Sequence, residues 1–363
     1  MKILADYQIF INQKIGGVSR YHATINQYIN EMGGGDSSQI LSLGHNNIYI
    51  PAQGSSLKLL NRRGARKLLV LLNQIYTLRI IKNYDIFHPT FYDPYFLKNK
   101  NNPPVVTTIH DLIPEIYFKE KMNWMINQKK QILQSAAAII AISESTRTEL
   151  LNRYELNEKK VHTIYHGYPE HFEKYADADN QLSQHKELQR PYILFVGTRN
   201  DYKNFQPLVR QIAGFLKKTN FDLRVIGNKP TDTEAALFRE LNITDRIIFA
   251  GHVDDHALYL AYCHAFCFIF PSLHEGFGMP LLESFIAKCP VICSDIPVFR
   301  EICGDAALYF NTEDPDSISQ CLESLLDHRE SSTQLIEKGL RQVRKFQWRE
   351  AAGKTLEIYK SLR

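Results

Sequence analysis

The second half of the chain carries five short apolar runs, each closing on a glycine, a proline or a polar loop: Y-I-L-F-V-G, F-D-L-R-V-I-G, R-I-I-F-A-G-H-V, F-C-F-I-F-P and P-V-I-C-S. Runs of this kind, bounded by glycine or proline, read as buried strands. Between them lie segments with helical character, N-F-Q-P-L-V-R-Q-I among them. Strands that alternate with helices pair in parallel and are covered on both faces. Residues 307–310 add a sixth short strand, and residues 314–327 and 332–359 read as helical. The first half repeats the rhythm, with strands at 3–5, 39–43, 86–88, 105–109 and 161–164. A helix at 18–31 places Val18, Tyr21, Ile25, Tyr28 and Ile29 near a 3.6-residue period. A second helix at 145–153 has Ser143 as its cap. At 363 residues the chain exceeds what one core serves, so two α/β domains are expected. Residues 167–190 contain Pro169 and a polar, charged run, and read as a linker or long surface loop. The expected division is 1–170, a linker at 171–190, and 191–345, with 346–363 returning to the first domain.

Composition narrows the function. A net charge of +4 is too small to argue for a nucleic-acid partner. The 6 cysteines include no C-x-x-C pair and read as buried thiols rather than a disulfide framework. The opening M-K-I-L-A-D-Y lacks the apolar core of a signal peptide, and no run of 18 apolar residues is long enough to span a membrane. His252 and His256 stand four apart, with no carboxylate frame or thiol pair to complete a metal site, so no metal is expected.

Ligands of open α/β sheets bind outside the carboxyl ends of the strands, and several residues there can do chemistry. In P-S-L-H-E-G-F-G-M-P-L-L-E-S, Glu275 and Glu283 flank two glycines between a strand and a helix. Gly276 and Gly278 relax the backbone where it approaches a ligand, and Pro280 fits a first helical turn. Glu283, near that helix N-terminus, can accept hydrogen bonds from two adjacent hydroxyls; its plain alternative is a helix cap, and that of Glu275 a surface residue. Arg199 and Lys203 follow V-G-T and suit a diphosphate, or form an ordinary surface pair. G-G-V-S, with Gly17, is either a phosphate-binding helix start or a simple turn. His110 ends a strand and either faces a ligand or packs inside. From 37 to 84 there is no Asp or Glu, while Lys58, Arg62, Arg63, Arg66, Lys67, Arg79 and Lys82 lie among leucines and isoleucines. That mixture fits an anionic membrane surface or a solvated helix face.

Taken together, H-E-G-F-G-M-P-L-L-E-S, V-G-T-R-N-D-Y-K-N-F, G-G-V-S, I-H-D, A-I-S-E-S and C-P-V-I-C-S-D-I-P-V-F-R-E-I resemble glycosyltransferase family 4, a large retaining group with the GT-B fold. The resemblance runs from end to end. It implies two Rossmann-like domains facing across a cleft, the first taking the acceptor and the second a nucleotide sugar. It also implies that Arg199 and Lys203 clamp the diphosphate, Glu283 holds the ribose and Glu275 contacts the donor sugar. Gly276, Phe277 and Gly278 would line the sugar pocket and Leu281 or Leu282 would flank the ribose. Gly17 and Gly197 would approach the diphosphate, His110 the sugar, and His252 and Val253 the base. No cofactor is implied beyond the nucleoside diphosphate sugar as substrate. The expected reaction moves a hexose, best read as mannose from GDP-mannose, to a glycan or polyprenyl-diphosphate-linked saccharide in surface polysaccharide synthesis. The expected location is cytoplasmic, peripheral on the membrane. UDP- or dTDP-sugar transfer, a sugar-nucleotide hydrolase or epimerase, and a non-catalytic sugar-nucleotide-binding subunit are the alternatives. The first loop, beginning D-Y-Q-I-F, is longer than the family's simplest pattern.

Overall fold

The structure is a computed structural model that describes residues 1–51, 64–99, 101–179 and 190–363. Lys58, Arg62 and Arg63 lie outside the described residues. The chain divides into two compact units, one of Met1–Gly167 with Phe346–Arg363, the other of Tyr168–Lys345.

In the first unit, β1 (Lys2–Ala5), β2 (Ser37–Ile40) and β3 (Ile86–His88) pair in the order β2-β1-β3. Strands β4 (Val106–Ile109), β5 (Ala138–Ala141) and β6 (Val161–Thr163) form a second parallel ladder, and one parallel bridge between Phe87 and Val105 joins the two. The inner strands β1, β3, β4 and β5 are buried on both faces, as parallel strands are, while the edge strand β2 is not. Leu4, Phe87, Ile109 and Ile139 enter one core cluster, while their neighbours Ile3, Ile86, Val106 and Ile140 enter the other. The second cluster is closed by the helices Gly17–Met32 and Trp348–Ser361 through Tyr21, Ile25, Ile29, Trp348, Ala352, Leu356 and Tyr359. A Cβ on Gly167 would stand 2.2 Å from the Trp348 backbone nitrogen, so this glycine permits the close approach.

The D-Y-Q-I-F stretch after β1 forms the short helix Gln8–Asn12. Asp6 is fully buried there; it accepts hydrogen bonds from the Thr90 amide at 2.9 Å, the Gln8 carboxamide at 2.8 Å and the Tyr95 hydroxyl at 3.1 Å. Burial nonetheless raises its carboxyl above the usual range, against the pull of those donors.

Three sequence expectations change. The second strand runs at 37–40 rather than 39–43, because the Asn30 carboxamide grips the backbone of Ser38 from both sides. The stretch read as a linker opens with the helix His171–Asp179, whose Phe172 is fully buried, 5.4 Å from the ring of Tyr259. The polarity of D-A-D hides that anchor; residues 180–189 lie outside the described residues. The helix expected over 332–359 is two helices, Arg329–Val343 and Trp348–Ser361, in different units. No glycine or proline marks the break. It comes where Gln347 is extended and Phe346 and Trp348 turn inward.

In the second unit, β7 (Tyr192–Val196), β8 (Asp222–Ile226), β9 (Ile247–Gly251), β10 (Cys267–Phe270), β11 (Val291–Ser294) and β12 (Leu308–Phe310) form one parallel sheet in the order β12-β11-β10-β7-β8-β9. The order reverses between β7 and β10. In a doubly wound sheet a ligand crevice opens at the carboxyl ends of the two strands that flank such a reversal. Cys267, Cys289, Cys293 and Cys303 are buried, and burial pushes the Cys267 and Cys289 thiols well above their usual range.

Candidate functional site

Val196 and Phe270 end the two strands at the reversal, and the loops that follow them carry the candidate residues Arg199, Lys203 and Glu275. The first loop makes a short turn over Asp201–Lys203. Asn204, in the left-handed region at φ 56°, then redirects the chain into the helix Phe205–Lys218. The second loop enters the helix Met279–Ile286 at Gly278, where φ is 104°. A Cβ on Gly278 would stand 2.7 Å from Leu281 Cδ1 and 3.3 Å from Phe299, so glycine is required for the turn and for its packing. The Leu273 amide donates to the Tyr202 carbonyl at 2.7 Å and ties the loops together.

Across that tie the Lys203 ammonium donates to Glu275 Oε1 at 2.5 Å, and the Ser272 hydroxyl donates to the same oxygen at 2.8 Å. The ammonium also lies 5.3 Å from the ring centroids of Tyr202 and Phe270. Aromatic faces attract a cation at that range. The two side chains are 15% and 12% exposed, mostly enclosed yet open on one side. On the following helix, the Tyr262 hydroxyl donates to Glu283 Oε2 at 3.1 Å. Burial, reinforced by the Glu283 charge, pushes the Tyr262 phenol well above its usual range, so it stays a donor that orients the carboxylate.

Arg199 is not gathered with Lys203. Its Nε donates to Glu234 Oε1 at 2.6 Å, Nη1 to the Asn228 carbonyl at 2.9 Å, and Nη2 to the Lys229 carbonyl at 2.7 Å and Glu234 Oε2 at 3.1 Å. The pair is 5% and 3% exposed, and the guanidinium sits 5.0 Å from the Phe249 ring centroid. Burial works against the Glu234 charge, but the Arg199 side chain and the Thr231 amide outweigh it and hold the carboxyl below its usual range. Glu234 also closes a capping box with Thr231 at the start of the helix Asp232–Glu240. The T-D-T-E spelling of that box was a readable signal, and sequence reasoning passed over it. Leu282, expected beside the ribose, is fully buried in the core, as is Leu281. Phe277 is 3% exposed and also serves packing, while Gly276 is buried in the same turn.

Three strands end in glycines that meet. The Gly197 amide donates to the Ile226 carbonyl and the Gly227 amide to the Gly251 carbonyl, both at 3.0 Å. A Cβ on Gly227 would fall 2.5 Å from the Gly197 carbonyl oxygen, so a side chain there is excluded. Past β9, His252 is exposed with Nε2 2.8 Å from Asn228 Oδ1, and Val253 is half-buried beside it. His256 instead meets the Tyr175 ring edge-on, at 5.0 Å between centroids. Among the described residues no group of three or more His, Cys, Asp and Glu could hold a metal ion.

In the first unit, Gly17 opens its helix after Gly16, and the space its Cβ would take is empty. His110, 9% exposed, follows β4 and joins His22, His88 and His166 in a cluster not evident from sequence. Ring centroids are 5.0 Å apart for His22–His88, 6.0 Å for His22–His110 and 5.6 Å for His110–His166. His88 Nδ1 faces the Tyr359 hydroxyl at 2.5 Å and its Nε2 faces Thr108 Oγ1 at 3.0 Å, while His110 Nε2 is buried without a hydrogen-bond partner. Burial, then the neighbouring imidazoles and Lys129, hold His110 well below its usual range, so it acts as a neutral ring. Burial takes His88 and His166 down to about 3. Such rings are neutral when folded and take a proton when unfolded, so their contribution is full above pH 6.5 and falls as pH drops towards 3. Each is expected to cost on the order of 1 kcal/mol at pH 5.5. Urea unfolding from pH 7.5 to 5.5 checks this, with His88→Gln flattening the slope; a stability that does not change with pH would overturn it.

Residues 15–172 match the glycosyltransferase family 4 description, and residues 177–342 match glycosyl transferases group 1. The chain is 29% identical over 312 residues to the O-antigen chain mannosyltransferase B of Escherichia coli, covering 82% of this chain and 80% of that protein. It is 25% identical to the O-antigen chain mannosyltransferase RfbU of Salmonella typhimurium over 60% of each. Its backbone is similar to sucrose-phosphate synthase from Thermosynechococcus elongatus, with a TM-score of 0.77, 19% identity, and coverage of 99% of this chain and 98% of that one. The reversed parallel sheet, the two units and these matches agree: the chain is a glycosyltransferase of the GT-B fold, related to the group 1 and family 4 transferases and to bacterial O-antigen mannosyltransferases.

Proposed function

We propose that the protein moves a hexose, mannose before others, from GDP-mannose to a hydroxyl of a glycan or polyprenyl-diphosphate-linked saccharide. The anomeric configuration is kept, and the work is done at the cytoplasmic face of the membrane during synthesis of a bacterial surface polysaccharide. The two relatives above, both O-antigen mannosyltransferases by name, support the sugar and the setting. The observation that carries the proposal is the Lys203–Glu275 pair at the reversal of the second sheet.

A cleaving sugar–phosphate bond leaves negative charge on the departing diphosphate. Lys203 meets that charge, where donors aimed at developing charge act most strongly. Glu275 keeps Lys203 oriented and offers its second oxygen to a donor-sugar hydroxyl. Because the ammonium already compensates its charge, Glu275 is a weak nucleophile. Retention then follows a front-face route, in which the leaving phosphate takes the acceptor proton. Glu283, steadied by Tyr262, accepts hydrogen bonds from the ribose hydroxyls, and Gly251, with open space where a side chain would stand, leaves room for the base beside His252. In the first unit, His110 is a neutral ring whose Nε2 is buried within the histidine cluster.

GDP is expected to raise the melting temperature more than UDP or dTDP at equal concentration, with or without chelator, since a ligand stabilises by the logarithm of its occupancy ratio. A larger shift with UDP or dTDP would replace the GDP-mannose reading, and no shift with any of them would overturn the donor site.

A further inference from the structure

The helix Ala65–Ile80 is apolar on two sides: Leu69, Val70, Leu78 and Ile80 pack partly buried against the core, and a second apolar stripe faces out. Its buried residues are Asn73 and Thr77. Its outward face carries Leu68, Leu71, Leu72, Ile75 and Tyr76, each between 41% and 55% exposed. These five follow the i, i+3, i+4, i+7, i+8 spacing of one continuous stripe. Asn73 anchors the inward face. Its Oδ1 accepts from the Leu43 amide at 2.8 Å and its Nδ2 donates to the Leu69 carbonyl at 2.8 Å, fastening the helix to the loop after β2. Leu43 on that loop is itself 39% exposed and widens the apolar surface. Surfaces of this kind mark interaction sites.

Charge identifies the partner. No Asp or Glu occurs from 37 to 84, while Arg66, Lys67, Arg79 and Lys82 are exposed on or beside the helix. A second copy docked about a two-fold axis would bring these like charges together, with no acid in the segment to oppose them. An anionic bilayer satisfies both features. Leucine and isoleucine enter the acyl boundary, and the basic groups lie at the headgroups. No helix among the described residues is long and apolar enough to cross a membrane, so this one lies along the surface. We propose that the outward face of Ala65–Ile80 docks the protein on anionic lipid by apolar insertion as well as by charge. The purpose assigned to it, reach to a lipid-linked acceptor, rests on the reading above.

The test is flotation of the full chain with vesicles of phosphatidylcholine alone or mixed with phosphatidylglycerol, at low and high salt. Nucleotide thermal shifts are measured on the same preparations. The wild type is expected to float with the anionic vesicles. A double variant, Leu71→Asn with Ile75→Asn, is expected to lower the bound fraction about 10-fold at both salts. Replacing Arg66, Lys67, Arg79 and Lys82 with Gln is expected to remove only the low-salt part. Both variants keep the wild-type nucleotide shift, which shows that they fold. A wild type that fails to float, or a double variant that floats like it, overturns the proposal. So does a wild-type dimer in sedimentation that the double variant converts to monomer without any flotation. A chain that floats yet shows no nucleotide shift supports the docking face while sinking the donor reading.

Discussion

Lys203→Ala is expected to cut transfer about 100-fold or more at saturating donor, a loss of about 3 kcal/mol in transition-state stabilisation. The fold is expected to survive, because Glu275 keeps its hydrogen bond from Ser272 and is partly exposed to water. Two roles for the lysine are separable. If it only positions Glu275, Glu275→Gln will match the loss, and the double variant will be no worse than either single one. If it meets the departing diphosphate, Lys203→Ala will be the more damaging, its loss will fall on kcat rather than KM, and Lys203→Arg will recover part of the rate. Steady-state kinetics with the donor preferred in the thermal-shift series decide the matter. A change below about threefold would remove Lys203 from the reaction.

Arg199→Ala is expected to cost about 3–5 kcal/mol of stability, the usual consequence of stranding a buried carboxylate. Four of its donor contacts end on Glu234 and on the Asn228 and Lys229 carbonyls, all in the second unit. Glu234→Gln in the same chain is expected to recover part of the loss, since an amide tolerates the site without a counter-charge. Urea unfolding of the single and double variants measures both. Unchanged stability together with lost donor affinity would return Arg199 to the diphosphate. The contrast with Lys203 is that one basic residue of R-N-D-Y-K faces the strand reversal, while the other joins the loops after β7 and β8.

Much of the second unit could be read from the chain. Its five apolar runs end on glycine, proline or a polar loop, and buried parallel strands between helices leave little alternative. The turn at Gly278 was equally readable, because Pro280 sets the helix start and glycine alone suits the entry. Partners distant in sequence were not readable. Arg199 and Glu234 are 35 residues apart, and nothing local says which loop a guanidinium will reach. His22, His88, His110 and His166 meet because separate strand and helix ends converge, a property of topology rather than spacing. Leu282 shows the limit of motif reasoning from the other side: a residue beside a candidate residue on a helix can turn into the core. In the helix Ala65–Ile80, composition announced apolar and basic side chains but not which of them face out; Asn73, bonded to the backbone of Leu43, anchors the inward face.

The helix Trp348–Ser361 packs on the first unit although the whole second unit precedes it in the chain. During synthesis, therefore, residues 1–167 emerge with one flank of their sheet uncovered and wait for residues 168–345 to be made before that flank can close. Ile3, Ile86 and Val106 stay reachable throughout that interval, and domains left incomplete in this way are where chaperones bind and aggregates start. A premature stop near residue 346 would thus injure the half of the molecule made first and spare the half made last.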